Sequence, residues 1–201
     1  GEIILAQVYK WTDETGCVHF TNDPKKIPEK FKSPTQTTES KGTGTSKSRG
    51  EVEPDIVGFR DIRWETEITS LSGMKYENTD PSYGGIRVYS RRSDKLIIGG
   101  ASLQAINYGF WKGRLCSVRI FVNGFENWTQ LKASLFEKFG SGGQSNRYIE
   151  RYFWFQKSGN MILEYNEFSR TGTLYMSSTV ISDQQEKEVK EQAKEGARTG
   201  S

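Results

Sequence analysis

The sequence predicts an α+β protein: an N-terminal β-hairpin module, then an antiparallel sheet with two helices packed on one face. Three observations carry this. Two short alternating runs flank a polar turn near the start. A stretch lacking any aromatic residue comes next. Beyond it most apolar residues recur with period two, broken by two segments of helical spacing.

The hairpin is read from residues 7–23, QVYKWTDETGCVHFTND, in which Val8 to Thr12 and Cys17 to Thr21 alternate around Asp13, Glu14, Thr15 and Gly16. Gly16 supplies the positive φ that closing such a turn commonly requires, and Asp13 bonds its own backbone to start it. Pro24 and Pro28 end the second strand. A lone two-stranded hairpin is marginal in water, so Tyr9, Trp11, Phe20 and Phe31 are expected to gather on one another or on a partner surface.

The spacing Tyr9-Lys10-Trp11-Thr12-Asp13, Gly16, His19-Phe20-Thr21, Asp23-Pro24 resembles the bacterial domain-of-unknown-function family 4124. The resemblance covers about the first 32 residues, and its signature positions here are Tyr9, Trp11, Asp13, Gly16, His19, Phe20 and Pro24. It implies a periplasmic or secreted location, because such modules stand directly after signal peptides in envelope proteins. It implies no activity. Cys17 departs from the pattern, standing where the family more often has an apolar residue. The opening GEIILAQ agrees with export: it reads as the end of an apolar leader with Ala6 as a cleavage-site residue.

From 33 to 55 the chain is rich in Ser, Thr, Gly, Pro and charge, with Val52 its only aliphatic residue. Such a segment cannot bury enough surface to offset its ordering entropy, so it reads as a flexible linker. Residues 183–201 read as a polar tail, able to form a frayed helix through i,i+4 charge pairs but lacking an apolar face.

Residues 56–182 form the expected main domain. Helical spacing occurs from Trp64 to Leu71 and from Glu126 to Phe139, where Trp128, Leu131, Leu135 and Phe139 recur on one face and Gly140 stops the helix. Six runs alternate as strands: Gly85 to Arg91, Gln104 to Trp111, Leu115 to Val122, Glu150 to Gln156, Met161 to Phe168 and Thr173 to Ile181. The short breaks between neighbours require antiparallel hairpins. The order helix, three strands, helix, three strands suggests a tandem αβββ duplication.

Alternation sends Ile86, Val88, Ile106, Tyr108, Phe110, Cys116, Val118, Ile120, Phe153, Phe155, Met161, Leu163, Leu174 and Met176 toward the helices. The other face collects Arg87, Tyr89, Arg91, Trp111, Arg119, Phe121, Tyr152, Trp154, Glu164 and Tyr175, where a solvated sheet would show Thr, Lys, Glu and Ser. The main domain also holds 10 arginines against 6 lysines, which favours planar and stacked contacts. These ten residues are the candidate binding face. A protein or cell-wall partner, a second copy of the chain, or the N-terminal module folding back over it would each account for such a surface.

Several function classes lack their residues. His19 is the only histidine, so a catalytic triad or multi-histidine metal site has no companions for it. Cys17 and Cys116 lack metal-ligand spacing; they either pair with each other or stay as buried free thiols. Neither a metal nor a cofactor is expected. The GSGG run at 140–143 lacks the Lys-Ser or Lys-Thr of a phosphate loop, and Glu164 and Glu167 fall on opposite faces of one strand, the wrong geometry for acid/base work. Twenty-eight basic and 25 acidic residues give a net charge of +3, too little to imply nucleic acid, and export argues against that partner. No stretch approaches the roughly 18 apolar residues of a membrane span. The reading is therefore an extracytoplasmic binding or interaction protein rather than an enzyme. The alternatives are an enzyme acting on an envelope polymer and a structural homodimer with the arginine and aromatic face buried.

Overall fold

The structure, a computed structural model, describes the backbone of residues 9–12 and 18–21, and residues 54–199, with the side chain of residue 199 excepted. The chain divides into two compact units, Gly1–Val52 and Glu53–Ser201. In the first, strands β1 (Tyr9–Thr12) and β2 (Val18–Thr21) pair antiparallel, with Trp11 opposite His19 and Lys10 opposite Phe20. The predicted hairpin is present. Asp13, Gly16 and Pro24, and the linker up to residue 53, lie outside the described residues.

The second unit is an α+β domain built on a seven-stranded antiparallel sheet. Its strands are β5 (Met74–Asp80), β6 (Ile86–Arg91), β9 (Ala105–Trp111), β10 (Arg114–Asn123), β11 (Arg151–Phe155), β12 (Gly159–Asn166) and β13 (Thr171–Ser178). Two small hairpins, β3–β4 (Gly58–Phe59, Ile62–Arg63) and β7–β8 (Ile97–Ile98, Ala101–Ser102), complete the strands. The sheet order is β11-β12-β13-β10-β9-β6-β5, two meanders whose last strands, β10 and β13, pair at the centre. All six predicted strands are found. The predicted run to Ile181, however, ends at Ser178, because residue 179 begins a helix.

Helix α1 (Phe125–Phe139) lies on one face of the sheet. Trp128, Leu131, Leu135 and Phe139, the spacing seen in the sequence, are all buried in a core with Val118, Ile120, Val122, Leu163, Leu174 and Met176. Gly140 ends the helix at φ 75°, a conformation other residues adopt only with strain. The same core receives Ile56, Phe59, Ile62 and Trp64 from the segment entering the domain. That entry is fixed at its start: the Asp55 carboxylate accepts from the amide and hydroxyl of Ser158, so the domain begins inside the stretch read as linker.

The first predicted helix, Trp64 to Leu71, is not one. Glu65 takes φ 66°, outside the right-handed helical region, and the amides of Trp64, Glu65 and Ile68 donate to Val57, Leu115 and Gly113 instead of to one another. Only a single 3-10 turn forms, at Ile68–Ser70. The second helix comes from the segment read as a polar tail: α2 spans Thr179–Thr199. Each meander is therefore followed by a helix, βββα rather than αβββ, with β5 added at one edge.

The two helices do not share a face. Ile181, in the first turn of α2, is fully buried with Ile86, Trp111 and Cys116, a second cluster on the side of the sheet away from α1. Lys112 and Arg114, at the β9–β10 turn, bond Glu188 and Gln184 of α2 and hold it there. Cys116 is a free, buried thiol. Among the described residues, no helix is long and apolar enough to cross a membrane.

Candidate binding face

The cross-strand register sets the side chains of the face opposite α1 in rows. One row runs Arg151, Glu164, Thr173, Phe121 across β11, β12, β13 and β10; the next runs Phe153, Ile162, Tyr175, Arg119. Residues directly opposite share a face, and residues two apart along a strand do too, so these eight form one contiguous patch. Within it lies a shallow depression of about 340 Å³, lined by seven of the eight, all but Phe153.

Its chemistry is mixed. The Arg119 guanidinium stands over the Tyr175 ring, 5.4 Å from the centroid, a cation–π pair. Arg151 Nε and Glu164 Oε2 are 3.2 Å apart as an ion pair. Phe121, Ile162 and Tyr175 supply the apolar part. Burial pushes the Tyr175 phenol up to about 12, so it stays a neutral group at physiological pH. Beside the depression, Asp80 is held below its usual value, first by its hydrogen bonds from Ser82 and also by the positive field of Arg119.

Next along the same face, α2 caps the second cluster. The Trp111 indole N–H donates to the Tyr83 carbonyl at 2.8 Å, and Lys112 lies 4.6 Å from the Trp111 ring centroid. The Cys116 thiol donates to the Gly109 carbonyl at 3.2 Å, and burial pushes its pKa up to about 11.

Of the ten residues expected to share a face, Arg119, Phe121, Glu164 and Tyr175 line the depression. Trp111 lies on the same side but is buried in the second cluster, as packing rather than platform. The other five are on the opposite face. Arg87 and Tyr89 stand opposite Phe110 and Tyr108 in register, on the α1 side, and Arg91 follows with the same parity. Tyr152 and Trp154 stand opposite Leu163 and Met161, and both pack on Phe136 of α1. Ile86, Cys116, Phe153 and Phe155, expected on the α1 side, lie on the other, and so does Val88.

Each inversion has a physical cause. In β11, four consecutive aromatics, Tyr152 to Phe155, leave no polar residue to mark an outside; Phe153 and Trp154 are each 3% exposed. In β6, Ile86 belongs to the second cluster under α2, which a single-core reading leaves out, and Val88 follows it by parity. A shift of one residue in parity exchanges every side chain between faces. Arg151, Ile162 and Thr173 were missed. Ile162 and Thr173 share parity with Glu164 and Tyr175, so alternation could have found them; Arg151 was hidden by the inversion of β11.

Among the described residues, no group of three or more His, Cys, Asp or Glu side chains is placed to hold a metal ion. No curated protein and no solved structure matches the chain. A family model does match, over the first unit and consistent with the signature spacing there: residues 3–53 match the Domain of unknown function (DUF4124).

Proposed function

We propose that this chain is a non-enzymatic, extracytoplasmic interaction module that binds a cell-envelope component in the depression on the sheet face away from α1. The observation that carries the reading is the pairing of a guanidinium, Arg119, with ring faces and aliphatic surface, Tyr175, Phe121 and Ile162, in one concavity. Such a set suits a ligand presenting a carboxylate next to a saccharide ring or an apolar side chain. Arginine offers a planar two-donor fork to the carboxylate, and the aromatic faces stack on the ring. Peptidoglycan carries both groups.

Two further features support the reading. The signature in the N-terminal unit implies export. The Cys116 thiol is buried and shifted upward, the reverse of an activated nucleophile.

Co-sedimentation of the full chain with insoluble peptidoglycan tests the proposal. The wild-type chain is expected in the pellet, Arg119→Ala largely in the supernatant, and Lys138→Ala, on α1 across the sheet, in the pellet. If the wild type stays in the supernatant, or Arg119→Ala pellets equally well, the reading fails.

A further inference from the structure

On the α1 side of the sheet, two short charged segments meet. One is the β3–β4 turn, carrying Arg60 and Asp61; the other is the turn after β6, from Arg91 to Lys95. They are clamped reciprocally. Arg60 Nη1 donates to Asp94 Oδ1 at 3.1 Å, and Arg91 Nη1 donates to both oxygens of Asp61, at 2.8 and 2.9 Å. Arg60 Nη2 also holds the carbonyls of Lys95 and Ile97, and the Tyr108 phenol donates to the second oxygen of Asp94 at 2.7 Å. Between the two segments lies a cavity of about 410 Å³.

The clamp consumes both carboxylates and leaves cationic donors over. Arg60 is committed to Asp94 and to two carbonyls. Arg91 commits only Nη1. Among the described residues, Arg91 Nη2, the Lys95 ammonium and the Ser93 hydroxyl have no protein hydrogen-bond partner, and all three residues line the cavity. Three cations against two paired carboxylates give the cavity a positive remainder, and the exposed Arg92 lies in sequence between the lining residues Arg91 and Ser93. Because Asp94 and Asp61 are bound from both segments, the donors stand on a braced frame, and little ordering remains to be done when an anion enters.

We propose that this cavity is a phosphate-binding site, with Arg91 Nη2, Lys95 Nζ and Ser93 Oγ as its donors. Three donors from three residues match a tetrahedral oxyanion, which offers three or more acceptor oxygens, better than a planar carboxylate with two. The site is separate from the depression proposed above, which lies across the sheet, and either can fail alone.

The test is a titration of inorganic phosphate into the full chain, followed by amide NMR, with sodium chloride at matched ionic strength as reference. Saturable shifts confined to the Arg91–Ile97 turn and to Arg60–Asp61 are expected. Lys95→Glu, which breaks no ion pair of the clamp, is expected to weaken binding by about tenfold or more, the scale of one charge-assisted hydrogen bond. A second arm separates the sources of the group. Vesicles of phosphatidylglycerol that bind the wild type but not Lys95→Glu assign a lipid headgroup; binding of inorganic phosphate without vesicle binding assigns a soluble phosphate. Shifts that chloride reproduces, or that persist unchanged in Lys95→Glu, overturn the proposal.

Discussion

Trp128 packs against the bare backbone of Gly172: a methyl group on Gly172 would come 2.7 Å from Cε3 of the indole and 2.6 Å from Cγ2 of Val122. The contact joins α1 to the centre of the sheet, where β13 meets β10. Trp128 is fully buried and stacks on Tyr165, with ring centroids 5.4 Å apart, so it has no room to retreat. Gly172→Ala is therefore expected to destabilise the domain by about 1–3 kcal/mol through overpacking. Urea denaturation measures this as a lower midpoint with unchanged slope; an unchanged midpoint would show that the indole can shift.

A second prediction concerns Trp154, which the sequence assigns to an exposed platform and the structure to the core. Its indole N–H donates to the Gly140 carbonyl at 3.1 Å, its ring lies 6.0 Å from Phe136, and the backbone of Gly142 passes against it. Trp154→Ala is expected to cost about 3–5 kcal/mol, as for a large buried aromatic. An exposed platform residue would change the unfolding midpoint little. Thermal or urea unfolding separates the two outcomes.

What could be read from the sequence follows from how strongly each element was marked. The α1 stripe was clear because four large apolar residues stand at helical spacing among polar ones. The parities of β13, and of β10 beyond its bulge, were clear because Arg119 and Tyr175 alternate with aliphatic neighbours; the bulge between Leu115 and Ser117 is what sends Cys116 to the other face. β5 was not seen at all: its sequence, MKYENTD, is that of a polar edge strand with a bulge, and nothing in its periodicity marks it. α2 read as a tail because beyond its first turns it is almost wholly charged and polar; the part that matters, Ile181, sat at the end of a run that alternates like a strand. The cavity between Arg60 and Lys95 was invisible for a different reason. Its two segments lie about thirty residues apart, and only the fold brings Arg91 to Asp61.

Ile181 and Cys116 give a third prediction. Ile181 seals the second cluster, and Cys116 beneath it is inert while buried, its thiol raised from the usual 9.0 to about 11. Ile181→Asp places a carboxylate in this apolar site and is expected to lift the first turn of α2 away from the sheet. In a Cys17→Ser background, Cys116 should then react with a thiol reagent much faster than in the Cys17→Ser chain alone, measured under native conditions. Equal rates would mean that α2 does not control access to the thiol.

The pH dependence gives a fourth. Burial raises the Tyr175 phenol from 10.0 to about 12, so the folded state favours the neutral group more than the unfolded chain does. The sign follows: the stabilising contribution is complete below pH 10 and is lost as pH climbs from 10 towards 12, because the unfolded chain releases the proton first. Cys116 acts in the same direction one step lower, between 9 and about 11. Tyr108, its phenol raised by burial and by its hydrogen bond to Asp94, loses its stabilising contribution over the same range as Tyr175. The melting temperature is therefore expected to fall progressively above pH 9, and Tyr175→Phe to lessen, without abolishing, the part of the decline above pH 10 while leaving the part below it in place. Arg119 works against this shift, since its positive charge favours the phenolate, so Arg119→Ala should steepen the decline in the Tyr175 range. A melting temperature that declines identically in the wild type and in Tyr175→Phe would assign the alkaline transition to groups other than the phenol on the binding face.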